Sequence, residues 1–248
     1  MIKLYNGDCV DIMKTMQDES IDLTVTSPPY DDLRANTPVI NWEDVAKELY
    51  RITKHGGVVV WNVNDKISKG SKSLTSFRQA LIFNEVGFNV NDVMIWKKTN
   101  PMPQVKQPRY NQCFEYMFIF SKGKPKTFNP RMVACKSADK EYKSTCKKIT
   151  KGKERAYKEF KINKFKIEDN VWEFAVSQNK TEHPAVFPEE LPLRHIHTWS
   201  NEGDVVFDPF CGSGTTGMVA NRLNRDFVGV ELDENYYGIA KERIGVNE

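Results

Sequence analysis

Long hydrophobic runs are absent from this 248-residue sequence, which contains no stretch of 18 apolar residues. A helix needs about 20 such residues to cross a membrane, so the sequence predicts no membrane-spanning helix. The amino terminus also lacks the basic and apolar pattern of a secretory signal peptide. We therefore expect a soluble, cytoplasmic protein that does not bind membranes.

Cysteine is scarce, with five residues that are scattered along the chain and never spaced as C-x-x-C. An odd number of scattered thiols argues against a disulfide framework and fits a reducing compartment. No cluster of ligand residues indicates a metal, and we predict none. Cys211 lies inside a glycine-rich turn, where packing is favoured over a nucleophilic role because no base is evident nearby.

Charge is unevenly distributed, although the net charge is only +3. Between residues 121 and 170 there are 16 Lys or Arg and 6 Asp or Glu, against 20 and 27 in the remaining chain. This basic segment also contains interleaved aromatic residues, namely Tyr142, Tyr157, Phe160 and Phe165. Such a combination favours binding to nucleic-acid phosphates, with a solvated charged loop as the alternative.

The first of two motifs follows the apolar run 21–25 and reads Thr26-Ser27-Pro28-Pro29-Tyr30. Its two prolines restrict the backbone, so the motif forms a rigid ledge at the carboxyl end of a predicted strand. A ledge of this kind suits a planar group. Tyr30 can stack on the face of that group, while the Ser27 hydroxyl and the Pro28 carbonyl accept hydrogen bonds from an amino group at its edge. An ordinary Pro-Pro turn is the alternative.

The second motif follows a predicted buried strand, residues 205–208, and is a glycine turn over residues 209–217. Its glycines, Gly212, Gly214 and Gly217, fit the pattern G-x-G-x-x-G, and a helix opens at Met218. A second strand follows and ends in Glu231. Strand, glycine turn, helix, strand and acid in this order are typical of a site for an adenosine-containing cofactor, with the acid at the ribose.

Together the two motifs resemble S/D/N-P-P-Y/F and D-P-F-x-G-x-G-T, the motif pair of the DNA amino-methyltransferases. These enzymes transfer a methyl group from S-adenosylmethionine to an exocyclic nitrogen of a base. The ledge precedes the glycine turn in this chain, an order that resembles the permuted β class of the family. The resemblance extends from about Leu4 to Ile244 and fails only in the basic segment.

The fold class expected from this resemblance is α/β, a Rossmann-like, mostly parallel seven-stranded sheet with helices on both faces and a small basic insertion. Alternation of predicted strands and helices along the chain agrees with such a sheet. We assign residues 1–120 to a catalytic half, 121–170 to a basic target-recognition insertion and 171–248 to a cofactor-binding half.

The resemblance also implies roles for individual residues. The implied catalytic residues are Ser27, Pro28, Pro29 and Tyr30, which would hold a base flipped out of double-stranded DNA. Asp8 would bind the adenine end of the cofactor, although a helix N-cap is a strong alternative. The full set of implied cofactor-binding residues is Asp8, Asp208, Pro209, Phe210, Gly212, Gly214, Thr215, Thr216 and Glu231.

The first residue of the ledge motif bears on the choice of target base. Family members with Asp in place of Ser27 mostly methylate adenine N6, whereas Ser-Pro-Pro-Tyr is associated with cytosine N4, which we favour. A cognate restriction enzyme and a homodimer stay open as partners, as does an RNA substrate. Two other classes also remain: a nicotinamide-dependent oxidoreductase, which gives the ledge no role, and a DNA-binding protein without catalytic activity.

Overall fold

The computed structural model describes residues 1–29, 40–101, 103, 108–137, 141–144, 158–161, 163–176 and 188–245. Tyr30 of the ledge lies outside these residues. The chain divides into two compact units. The larger one comprises Met1–Asn129 and Asn170–Glu248, and the smaller one is Pro130–Asp169, which lies inside the predicted basic insertion.

Strands and helices alternate along most of the described chain. The strands are β1 Ile2–Asn6, β2 Ile21–Thr26, β3 Thr53–Val63, β4 Ile67–Ser68, β5 Ser71–Lys72, β6 Asn89–Lys98, β7 Phe114–Ser121, β8 Met132–Ala134, β9 Glu141–Ser144, β10 Lys158–Lys161, β11 Phe165–Ile167, β12 Val171–Phe174, β13 Val205–Asp208 and β14 Asp226–Glu231. The helices are α1 Cys9–Thr15, α2 Trp42–Ile52, α3 Thr75–Val86, α4 Glu190–Trp199, α5 Thr215–Arg222 and α6 Glu234–Ile244.

Eight strands form the sheet of the larger unit, in the order β1-β14-β13-β2-β3-β7-β6-β12. β7 runs antiparallel to its neighbours β3 and β6, and the other neighbouring pairs are parallel. All the parallel strands therefore end at one edge of the sheet, which we call the carboxyl edge. β7 begins at that edge.

Alternating side chains of the strands divide the hydrophobic core between the two faces of the sheet. In β3, Val58 and Val60 pack on the face that α4, α5 and α6 cover. Val59 and Trp61, with the opposite parity, pack on the face that α1, α2 and α3 cover. This two-residue period is the expected behaviour of a strand that is buried on both faces.

Local sequence determines where helix α2 begins and which of its faces is buried. The Asn41 side chain accepts a hydrogen bond from the Glu43 backbone N–H and caps the first turn. Val45, Ala46, Leu49 and Ile52 recur at helical spacing and are all fully buried. The helix ends at Ile52, and His55-Gly56-Gly57 already belongs to β3.

The predicted α/β class, with a mostly parallel sheet and helices on both faces, is confirmed. The sheet has eight strands where seven were predicted, and the added one is β12 at an edge. Only Trp172 of its four residues is buried, and Val171 is 47% exposed. A strand this short, packed on one face and exposed on the other, has too little apolar alternation for the sequence to reveal it.

The smaller unit contains two antiparallel strand pairs among its described residues. β8 pairs with β11, and β9 pairs with β10. Phe165 and Ile167 of β11 and Met132 of β8 are each more than half exposed. The unit thus has little buried apolar surface in its described part. In the described residues of the whole chain, no helix is long and apolar enough to span a membrane.

Candidate active site

The ledge begins where β2 reaches the carboxyl edge. Ser27 and Pro29 are partly exposed and Pro28 is buried. Thr26, the last residue of the strand, is almost completely buried. Because β2 lies between β13 and β3, the neighbours of Ser27 come from the ends of these two strands.

A buried hydrogen bond joins the ledge to the glycine turn. The Thr26 hydroxyl donates to Asp208 Oδ1 at 2.6 Å, although the two residues are 182 positions apart in sequence. The same oxygen accepts the Phe210 backbone N–H at 3.1 Å. Asp208 therefore holds the end of the ledge strand and the start of the glycine turn together. This contact makes the two predicted motifs parts of one site.

Burial raises the pKa of Asp208 from its ordinary 3.8 to about 6. Hydrogen bonds from Thr26, Thr216 and Phe210 oppose the increase, and the nearby charge of Glu231 adds to it. The folded protein thus binds the proton of Asp208 more tightly than the unfolded chain does. Its contribution to stability is greatest below pH 4 and falls as the pH rises through about 6.

Replacing Asp208 by asparagine tests this pKa, because the amide has a similar shape but does not ionise. Relative to the wild type, we expect Asp208→Asn to gain about 3 kcal/mol in the free energy of unfolding between pH 4 and pH 7, at ~1.4 kcal/mol per pKa unit. Urea unfolding of both proteins at four pH values in this range measures the difference. A difference that does not change with pH would contradict the raised pKa.

The glycine turn is shaped by backbone conformation and by packing against α6. Gly212 and Gly214 have φ values of 53° and 81°, which side chains with a Cβ rarely adopt. Arg243 of α6 donates to the backbone carbonyl of Ser213 at 2.7 Å and to its hydroxyl at 2.6 Å. A Cβ on Gly217 would lie 2.5 Å from Ile244 Cδ1. Close packing of α5 thus requires a glycine at this position, whatever the turn binds.

Glu231 at the end of β14 faces the glycine turn. Its Oε2 accepts the Gly212 backbone N–H at 2.7 Å, and its Oε1 accepts that of Asp233 at 2.9 Å. A carboxylate oxygen has two lone pairs, so each oxygen can accept a further bond from a hydroxyl group. The structure thus gives Glu231 a role in fixing the turn in addition to its predicted contact with a ribose.

Asp8 caps helix α1, as the alternative interpretation proposed. Its Oδ1 accepts the backbone N–H groups of Val10 at 2.8 Å and Asp11 at 3.2 Å. The residue is exposed at the carboxyl edge, where the preceding Gly7 N–H donates to the Glu231 carbonyl at 3.0 Å. The capping role and a ligand role are compatible, because both capping bonds use one oxygen.

The predicted residues form a row along the carboxyl edge. Asp8, Glu231, Asp208 and Ser27 lie at or directly after the ends of β1, β14, β13 and β2, four strands that are neighbours in this order. Adjacent strands are about 4.8 Å apart, so the row is roughly 15 Å long. Thr215 and Thr216 of the predicted set are buried, and the Thr216 hydroxyl donates to the Val25 carbonyl at 3.3 Å.

Sequence reasoning missed a chain of polar side chains behind Ser27. Asn62 of β3 is fully buried, and its Nδ2 lies 3.5 Å from Ser27 Oγ and 2.7 Å from Glu115 Oε2. Lys98 completes the chain with an ion pair of 2.6 Å to Glu115 Oε1. A signal was present in the sequence, because Asn62 and Glu115 interrupt otherwise apolar strands and a buried polar group needs a partner.

Cys211 lies in the hydrophobic core and is 4% exposed. Burial raises its pKa well above the ordinary range, and the nearby charges of Asp208 and Glu231 act in the same direction. The side chain therefore stays a protonated thiol, which is a poor nucleophile. This environment agrees with the predicted packing role.

Comparison with known proteins identifies the family. The chain matches the family of DNA methylases described as N6/N4 methyltransferases over residues 21–242. It is 49% identical to the orphan methyltransferase M.BamHII of Bacillus amyloliquefaciens, over 96% of this chain and 90% of that protein. It is also 30% identical to the type II methyltransferase M.BglII of Bacillus subtilis, over 96% of this chain and 67% of that protein.

Solved structures share the fold. The PvuII DNA methyltransferase, described as cytosine-N4-specific, superposes with a TM-score of 0.73 at 23% identity, over 98% of this chain and 86% of that one. The complex of M1.HpyAVI with SAM superposes with a TM-score of 0.68 at 25% identity, over 99% and 100% of the two chains. With motifs, geometry and relatives in agreement, the chain belongs to the N6/N4 DNA methylase family.

Proposed function

We propose that this protein transfers a methyl group from S-adenosylmethionine to the exocyclic amino group of a base flipped out of duplex DNA. The hydrogen bond between Thr26 and Asp208 carries the proposal, because it joins the strand that ends in the ledge to the strand that leads into the glycine turn. Methyl transfer requires this arrangement, since both reactants must meet in one crevice. In open parallel sheets such crevices lie at the carboxyl ends of the strands.

The residues of the carboxyl edge fit S-adenosylmethionine. Asp8 suits the adenine end, and the Glu231 carboxylate has lone pairs free for the ribose hydroxyls. Gly212, which is partly exposed beside Glu231, leaves room for the methionine portion because it has no side chain. The cofactor supplies a methyl group on a positively charged sulfur, which an amino nitrogen can displace directly. A nicotinamide-dependent oxidoreductase would use the glycine turn and Glu231 in the same way, but it gives the ledge no role.

The ledge would orient the amino group of the base. Its two N–H bonds point to the Ser27 hydroxyl and the Pro28 carbonyl, and Tyr30 stacks on the ring. Accepting both bonds turns the nitrogen lone pair toward the methyl group, and orientation of this kind lowers the barrier to reaction. The base must first leave the DNA stack, which costs a few kcal/mol.

The chain of Asn62, Glu115 and Lys98 would hold Ser27 in position. Glu115 accepts one N–H of the Asn62 amide and so fixes the plane of that amide, which faces the Ser27 hydroxyl. Lys98 balances the charge of Glu115, whose side chain is only 8% exposed. In the proposed reaction the proton lost from the amino group passes to solvent.

Cytosine N4 is the proposed target within this chemistry. Ser27 provides a neutral hydroxyl at the ledge, and the structural neighbour PvuII methyltransferase is described as cytosine-N4-specific. The basic segment, whose described core is the unit Pro130–Asp169, would contact the DNA and select the sequence.

Identification of the methylated nucleoside tests the proposal. The protein is incubated with duplex DNA of mixed sequence and S-adenosylmethionine, and the DNA is digested and analysed by mass spectrometry. We expect N4-methylcytosine. Finding N6-methyladenine would overturn the base assignment and leave the mechanism intact. Absence of any methylated base, with a protein shown to bind the cofactor, would overturn the assignment to DNA.

A further inference from the structure

A short basic hairpin lies between β3 and α3, outside the basic segment. Strands β4 and β5 pair antiparallel, with Ile67 opposite Lys72 and Ser68 opposite Ser71. Only Lys69 and Gly70 connect them, with φ values of 48° and 80°. Positive φ at both central residues is the signature of a type I′ turn, the turn that best matches the twist of two hairpin strands.

Lys69 is an unexpected residue for its place in this turn. Type I′ turns favour Asn, Asp or Gly at the first central position, because other side chains crowd the backbone when φ is positive. Lys69 is nevertheless there, and its side chain is exposed at the tip of the hairpin. The turn requires a positive φ at this position but does not require a lysine. A residue that adds strain where Asn or Gly would fit better is a reason to seek a function for its side chain.

Other cations surround the tip. Residues 64–74 contain three lysines, Lys66, Lys69 and Lys72, and one acid, Asp65. Arg109, from the loop before β7, donates to the Gly70 carbonyl at 2.7 Å, and Lys72 donates to Gln112 Oε1 at 2.6 Å. These contacts fasten the hairpin to the loop, so the positive charge is held in a fixed place.

The hairpin follows β3, which ends at the same edge of the sheet as β2, the strand of the ledge. Asn62, whose Nδ2 is 3.5 Å from Ser27 Oγ, precedes Lys66 by four residues. Four residues span at most about 14 Å even when fully extended. Duplex DNA carries one phosphate charge per ~1.7 Å of its axis, so a base held at Ser27 brings backbone phosphates into the vicinity of the hairpin.

We infer that the hairpin, residues 66–73 together with Arg109, is a second DNA-contacting surface, which binds backbone phosphates beside the flipped nucleotide. This inference rests on the proposed function, since it requires DNA at the ledge. The hairpin holds the duplex where the base has left it. Phosphate contacts of this kind add affinity without reading the sequence.

The variant Lys69→Asn tests the inference without threatening the fold. Asparagine is favoured in the type I′ turn, so the hairpin keeps its shape while it loses the charge. Binding to a mixed-sequence duplex is measured by fluorescence anisotropy at several salt concentrations. The slope of log K against log salt is negative, and one lost phosphate contact makes it shallower by about 0.9. If the two proteins bind equally at 1 M salt, the variant then binds about eightfold more weakly at 0.1 M salt. We expect this loss, with the Kd for S-adenosylmethionine unchanged.

Lys14→Asn is the matched control. Lys14 is an exposed lysine in the last turn of α1, a helix that begins at the carboxyl edge and leads away from it. It should leave the salt slope as in the wild type. An unchanged slope in Lys69→Asn, with a wild type that methylates DNA, would overturn the inference alone. A wild type that binds DNA but yields no methylated base would overturn the proposed function instead.

Discussion

Replacement of Ser27 by alanine is expected to lower the rate of methyl transfer between a hundredfold and a thousandfold, while the Kd for S-adenosylmethionine stays the same. Loss of one well-placed hydrogen-bonding group in an active site has about this effect on kcat. In the proposed mechanism Ser27 orients the amino group of the base. The proposed cofactor residues, the glycine turn and Glu231, lie on the other side of the Thr26–Asp208 contact.

Single-turnover kinetics with saturating DNA and calorimetric titration of the cofactor separate these two quantities. Ser20→Ala is the matched control, because Ser20 directly precedes β2 at the opposite end of the strand and its hydroxyl donates only to the Gln17 carbonyl. It should retain normal turnover. Weaker cofactor binding together with normal turnover in Ser27→Ala would assign the ledge to the cofactor and contradict its catalytic role.

Replacement of Gly217 by alanine is expected to destabilise the fold. The added Cβ would lie 2.5 Å from Phe227 Cε1 and 2.5 Å from Ile244 Cδ1, closer than real Cβ atoms approach. Overpacking in a core of this kind costs roughly 1–3 kcal/mol. Because α5 carries the glycine turn at its start, displacement of the helix should also weaken the binding of the cofactor.

Gly238→Ala provides the control for this variant. Gly238 lies in α6, and no atom is within 4 Å of the position of its added Cβ. Alanine in an exposed helix is more stable than glycine by about 1 kcal/mol, so this variant should be more stable than the wild type. Urea unfolding of both variants is the measurement. If Gly217→Ala unfolds at the same urea concentration as Gly238→Ala, the close packing of α5 is not as described.

The sequence predicted those features of the site that depend only on neighbouring residues. The ledge, the glycine turn and Glu231 were predicted because each is a run of a few residues next to an apolar strand. The family assignment that followed from them is confirmed. The roles of the individual residues stay predictions, and Tyr30 lies outside the described residues.

Other parts of the site were missed because they depend on contacts between distant segments. In the sequence, Asn62 is only a polar residue that interrupts an apolar strand. Its contacts with Ser27 and Glu115 exist because β3 lies between β2 and β7 in the sheet. The hairpin at Lys69 lacks the Asn-Gly or Asp-Gly signal of a type I′ turn and has strands of two residues. β12 was not counted among the predicted strands for a similar reason, since its burial depends on its pairing with β6.

The sequence by itself determined the chemistry available to this protein: a rigid amino-group acceptor, a glycine turn with its acid, and a basic segment. Short patterns suffice for this, because backbone restriction by proline and glycine acts within a few residues. Only the tertiary structure decided how these parts combine. The order of strands brought Thr26 to Asp208 across 182 positions and aligned Asp8, Glu231 and Ser27 on one edge, since parallel strands end together.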